Sequence, residues 1–207
     1  FGTGRSQPFF SRRIGITQDT ATDESIQNTI LYGARLSGKI NDRTRIGILN
    51  TQTAAQLDND LPSFNYTVGV FQRNIGARSN IALIGINKQA INSQDFSGSF
   101  SKYNRVFGGD YNFSTKDNHW NGKFSQQFAI TESSIKDKFS NHWFVEYSTR
   151  DFRAEVFSLY IGAGYDAELG YVQRKDIYLV SPEGSLFFYP EDSNISKHTL
   201  FFDTRFP

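Results

Sequence analysis

Cysteine and methionine are both absent from this 207-residue sequence, and proline is scarce, with 5. The lack of cysteine excludes disulfides, thiolate metal sites and a lipoprotein anchor within the stretch. Because methionine is missing even at position 1, the sequence reads as a segment of a longer chain, with the barrel described below continuing past its ends. Charge of one sign is also lacking: 22 basic residues stand against 21 acidic ones, a net of +1. No bulk field therefore points to nucleic acid or to an acidic partner. No apolar run reaches the roughly 18 residues of a helical membrane span, and mean hydropathy is −0.49.

What is present is aromatic and alternating. The 20 Phe and 10 Tyr sit largely in stretches with a period of two, the period of a strand whose successive side chains face opposite sides. The plan is set by Thr29 to Gln52. Ile30, Tyr32, Ala34, Leu36 and Ile40 share one face, and Leu31, Gly33, Arg35, Ser37 and Lys39 the other. Asn41-Asp42 supplies a two-residue turn of residues that tolerate positive φ. Ile46 and Ile48 then return against Arg45 and Gly47. Each arm is about 10 residues, near the ~9–11 that a tilted strand needs to cross a bilayer.

The same plan recurs at 64–73, 79–88, 103–113, 119–130, 141–149 and 152–161. Glu168 to Val180 and Leu186 to Tyr189 read as further strands parted by Ser181-Pro182-Glu183-Gly184, and Leu200 to Phe206 alternates to the end. Short turns at 74–78, 114–118 and 150–151 alternate with longer connections at 53–63, 89–102 and 131–140. That alternation is the mark of an up-and-down barrel in an outer membrane. The expected fold is all-β: an antiparallel up-and-down transmembrane β-barrel of about ten strands, part of a larger barrel. Residues 1–23 form an entry segment, with Phe9 to Ile16 a first strand or a tucked-in plug, and residues 24–207 supply the barrel strands.

Five ordered segments carry a family resemblance: PFFSRRIG (Pro8 to Gly15), YGARLSGK (Tyr32 to Lys39), IGILNTQT (Ile46 to Thr53), NYTVGVFQRNIG (Asn65 to Gly76) and ELGYVQRKDI (Glu168 to Ile177). Together they resemble the DUF5916 family of outer-membrane β-barrel proteins from Bacteroidetes-type bacteria. The resemblance covers nearly the whole chain. It implies a barrel that follows a family-9-like carbohydrate-binding domain, in the outer membrane of a Gram-negative cell. It implies no substrate.

Few residues suggest chemistry. His119, His142 and His198 lack metal-ligand spacing and read as exposed or interfacial histidines. No G-x-S-x-G elbow occurs, so no enzyme is expected, and no cofactor or metal. Leu57 to Leu61 and Glu191 to Asn194 place oxygen ligands on loops without matching a calcium motif, and read as solvated acidic loops.

The charged strand residues are more informative. Arg35, Lys39, Arg45, Arg73, Lys123 and Glu146 lie on the less apolar face, and a charge facing mid-depth lipid costs roughly 2–4 kcal/mol, so they are expected in the lumen. There they set an anion-favouring interior, or pair with one another and hold Arg12, Arg13 and Asp19 of the entry segment. Tyr32, Tyr66, Tyr111, Trp120, Trp143 and Tyr147 are expected to form the aromatic girdle at the headgroup level. Leu31, Leu49, Phe71, Ile81 and Leu83, read as inward, suggest a packed interior. The expected partners are the lipid bilayer with lipopolysaccharide, other outer-membrane or periplasmic proteins, and glycans. The expected role is a pore or conduit, or a surface scaffold for carbohydrate-linked material. The alternatives are a closed barrel that anchors an envelope complex and a soluble glycan-binding β-sandwich.

Overall fold

The computed structural model describes residues 1–18, 24–97, 100–191 and 196–206. Asp19, Asp192, Ser193 and Asn194, invoked above, lie outside these residues. The chain is all-β, and its helical pieces are three-residue 3₁₀ turns at Ser11–Arg13, Leu57–Asn59 and Ser93–Asp95.

Ten strands make one antiparallel sheet in chain order. They are β4 (Ile30–Asn41), β5 (Thr44–Thr53), β6 (Ser63–Ile75), β7 (Ser79–Ile91), β8 (Tyr103–Ser114), β9 (Trp120–Thr131), β10 (Phe139–Ser148), β11 (Phe152–Ile161), β13 (Ile177–Phe188) and β14 (His198–Asp203). The small strands β1 (Ser6–Gln7) and β12 (Tyr171–Val172) pair with each other, as do β2 (Ile16–Gln18) and β3 (Ser25–Gln27). Nearest neighbours in sequence are thus nearest neighbours in space. β4 and β14 are the sheet's two edges.

The opening hairpin turns one residue later than the sequence suggests. Asp42-Arg43 is the loop, and neither residue has positive φ. The Asn41 side chain instead accepts the Arg43 N–H at 3.0 Å, closing an Asx turn that removes the need for left-handed backbone.

Pro182 does not break the chain into two strands, because β13 runs straight through it. The carbonyl groups of Val180 and Pro182 face β14, accepting from Phe206 and Thr204, so the missing proline N–H also faces β14. There the Thr204 carbonyl accepts the Ser181 hydroxyl at 3.1 Å, and β14 ends at Asp203. One lost ladder bond beside a sheet edge is a cost the fold tolerates.

The two faces of the sheet differ sharply. On the packed face Phe64, Tyr66, Val68, Ile84, Ile86, Val106, Leu159 and Ile161 form the core with Tyr165, Ala167 and Leu169 of the 162–176 connection. Each large side chain so buried contributes about 1.5–3 kcal/mol. Residues 1–17 join that inner layer: Phe9 and Ile14 pack on the core, the Phe10 N–H donates to the Leu169 carbonyl at 2.6 Å, and β1 zips to β12. Gly170 permits this close passage, since a Cβ there would stand 2.2 Å from the Gln7 carbonyl oxygen. The stretch Phe9 to Ile16, expected as a first strand or plug, is a 3₁₀ turn with flanking coil that leads into β2 and lies on the packed face of the sheet. The opposite, bare face exposes Leu36, Ile48, Leu83, Phe107, Trp120, Phe124, Phe128 and Val156.

Candidate functional site

Cross-strand partners share a face, so register assigns every side chain. On the packed face, Lys39 stands opposite Arg45 and Arg35 opposite Leu49. All three basic residues are exposed there, and among the described residues none has an acidic partner.

Lys123 and Glu146 lie on the same face but are paired. The Lys123 ammonium sits 2.9 Å from Asp110, which also accepts the Ser125 hydroxyl at 2.6 Å, and reaches the Gly2 carbonyl at 3.2 Å. Glu146 accepts from Arg153, which bonds Glu155 at 2.7 Å as well. Arg12 and Arg13 carry no ion pair among the described residues.

The inner layer is stitched to the wall by polar contacts that the sequence reading did not find. Lys88 meets Glu168 at 2.6 Å, Tyr165 donates to Gln127 at 2.6 Å, and Asn104 donates to the Asp166 carbonyl at 3.0 Å. Burial pushes the Tyr165 hydroxyl above its usual range. Glu168 to Val180, expected as one strand, is strand only at Tyr171–Val172 and from Ile177 onward; the rest turns back over the sheet, where Tyr165, Ala167 and Leu169 are buried.

β6 corrects the expected phase. Tyr66, Val68 and Val70 do share a face, but it is the packed one, and Tyr66 is 0% exposed, so it does not join the outward aromatics. Arg73 accordingly points to the bare face, at the strand end beside the 76–78 turn, and so do Phe71, Ile81 and Leu83. Alternation gives the parity of a strand, not which side its neighbours cover. Under the inner layer, apolar residues turn inward, and the other side of β6 carries Asn65 and Thr67. Leu49 does face inward, against the core.

His142 is likewise buried at 3% exposure on the packed face, against its reading as an exposed or interfacial residue. His119 and His198 are exposed. Asp60 staples two loops, accepting the Ser97 hydroxyl at 2.6 Å. Among the described residues no group of three His, Cys, Asp or Glu side chains is placed to hold a metal.

Tyr32, Tyr111, Trp120, Trp143 and Tyr147 stand on the bare face, Tyr111 and Trp143 within one connected band and Trp120 and Tyr147 as a separate pair. Tyr111 stacks on Phe113 at 6.1 Å, Phe113 on Phe124 at 6.3 Å, and Phe124 on Trp143 at 6.5 Å. Trp120 lies 4.9 Å from Tyr147 near the short turns. A second band, missed in the sequence, crosses β9 to β13 near the long connections: Phe128, Phe139, Tyr160 and Tyr178, at 6.4, 5.0 and 6.4 Å.

The bare face also carries polar side chains that satisfy one another, a guanidinium among them. Asn50 donates to Asn65 and Thr67 at 3.0 and 2.9 Å, Arg105 to Asn87 and Gln89 at 3.0 Å each, and Asn141 to Gln126 at 3.0 Å.

No family model, curated protein or solved structure matches the chain.

Proposed function

We propose that the chain forms the wall of an outer-membrane β-barrel whose interior is plugged by its own residues 1–17 and 162–176, and that it anchors or scaffolds material at the cell surface. The observation that carries this is the bare face. Contiguous exposed apolar surface on this scale is foreign to a soluble monomer and fits lipid. Up-and-down order leaves only β4 and β14 to be joined, directly or through further strands, for every backbone group to be paired in hydrocarbon.

The dimensions support it. Trp120 and Phe128 are separated by roughly 26 Å of strand at ~3.3 Å per residue. At a tilt near 40° that is ~20 Å of height, against an apolar band of ~25 Å. The polar side chains of this face hydrogen-bond one another, which lowers the cost of removing them from water. Arg73 and Arg105 lie near strand ends, where a lipid-facing charge costs only about 0–1 kcal/mol.

The packed core favours a closed anchor over an open conduit. The resemblance to DUF5916 proteins adds the carbohydrate association and the Gram-negative outer membrane as readings to be tested. Refolding into phosphatidylcholine vesicles, followed by planar-bilayer recording, decides the matter. Heat-modifiable, protease-resistant insertion without stepwise conductance is expected. Stepwise channels would restore the conduit, and a detergent-free soluble monomer would remove the membrane reading altogether.

A further inference from the structure

Between the inner layer and the wall at β4 and β5 lies a recess of ≈ 500 Å³. Its floor is apolar, from Leu49, Val68 and Val70, with Phe9 at the side, and Arg35 and Arg45 stand at its rim. The two arginines flank a gap in the wall where Ser37 opposes Gly47. A Cβ on Gly47 would meet the side chains of Ser37 and Val70 at 3.9 Å, ordinary contact, so packing does not require glycine here. A glycine inside a strand otherwise weakens it, and often marks the close approach of a ligand.

The charges point the same way. Lys39 stands directly opposite Arg45, an arrangement of like charges that destabilises a sheet. Neither residue, nor Arg35, has an acidic partner among the described residues. On the same face Lys88, Lys123, Asp110, Glu146 and Arg153 are each neutralised by a neighbour. Two uncompensated cations, Arg35 and Arg45, beside an apolar floor match a ligand with an anionic head and a compact apolar body.

We infer that this recess binds a small organic anion, such as an aryl or short alkyl phosphate or carboxylate, with Arg35 and Arg45 gripping the head and the Gly47 gap admitting the body. The guanidinium fork suits such oxyanions in bidentate geometry. Because the recess opens on the packed face, away from the bare apolar side, its occupant is a dissolved solute and not a bilayer lipid.

The test is calorimetric titration of the full chain, refolded in non-ionic detergent micelles, with phenyl phosphate, inorganic phosphate and benzyl alcohol. Saturable binding of phenyl phosphate is expected, at least about tenfold tighter than inorganic phosphate, with none for benzyl alcohol. Arg45→Gln or Arg35→Gln should weaken it about tenfold or more, the scale of one charge-assisted hydrogen bond. Gly47→Val should abolish binding with both arginines in place. Ser37→Leu fills the gap from the opposite strand and serves if Gly47→Val does not fold. No saturable binding by folded chain, or affinity unchanged in the gap-filling variants, overturns the site. Displacement of phenyl phosphate by dihexanoyl phosphatidic acid at lower concentration overturns the solute assignment and makes the ligand a lipid. Micelle binding needs no bilayer, so this test and the vesicle experiment fail separately.

Discussion

The Lys88 ammonium lies 2.6 Å from the Glu168 carboxylate, joining the wall strand β7 to the inner layer across 80 residues of sequence. Lys88 is 3% exposed, and its charge also rests 4.5 Å over the Phe64 ring. Removing one member of a buried pair strands the other, at about 3–5 kcal/mol. Glu168 keeps some solvent contact, so Glu168→Gln should fall at the low end, near ~3 kcal/mol. The double variant Lys88→Met/Glu168→Leu should recover much of the loss. Urea unfolding of the three proteins in micelles measures both. Equal losses in the single and double variants would show that the pair does not hold the layer.

Leu83 and Arg73 sit on the same bare face at different depths. Leu83→Arg places a charge where lipid is proposed to be thickest and should cost about 2–4 kcal/mol of folding stability in vesicles. Arg73→Leu, at the strand end, should change stability by less than about 1 kcal/mol. If Leu83→Arg folds into vesicles as readily as the parent chain, the bare face does not meet hydrocarbon.

Phe113 stands opposite Gly122, and its ring lies over the glycine. A Cβ on Gly122 would stand 2.2 Å from that ring and 2.8 Å from the Phe144 carbonyl oxygen. Gly122→Ala must therefore swing Phe113 off Phe124 and break the first aromatic band. The expected loss is about 1–3 kcal/mol, as for overpacking. Near-ultraviolet circular dichroism should show a changed aromatic signal, and Phe113→Leu in the Gly122→Ala background should restore part of the stability.

Tyr165 supplies a pH dependence. Burial raises its pKa, so the neutral hydroxyl is the form the fold stabilises. Its contribution is complete below the unfolded value of about 10 and is lost as pH rises through the folded value. Stability should therefore begin to fall as pH rises above about 10. Tyr165→Phe should flatten the fall while costing about 1–2 kcal/mol at neutral pH through the lost bond to Gln127. Tyrosinate absorbance followed alongside unfolding checks both effects, and a parent-like alkaline fall in Tyr165→Phe would shift the cause to another group.

How much of this was legible beforehand depends on which side of a strand is asked about. In β8, β9 and β10 one face is rich in Phe, Tyr and Trp and the other in Asn, Lys, Ser and Gln, so period alone separated bare from packed. β6 and β7 are apolar on both faces in part, and Tyr66, Phe71, Arg73, Ile81 and Leu83 were accordingly placed on the wrong side. Pro182 read as a break because a lone sequence does not say that its missing donor faces the end of β14.

By itself the sequence determined the strands from β4 to β11, their antiparallel order and the alternation of short turns with long connections. Side-chain period, turn residues and length are local properties, written in neighbouring positions. The tertiary structure alone decided which face the 162–176 segment and residues 1–17 would cover, and that Lys88, Lys123 and Glu146 would be paired while Arg35, Lys39 and Arg45 would not. Those outcomes depend on contacts between residues far apart in the chain, and no local pattern specifies which distant segment will arrive to neutralise a charge.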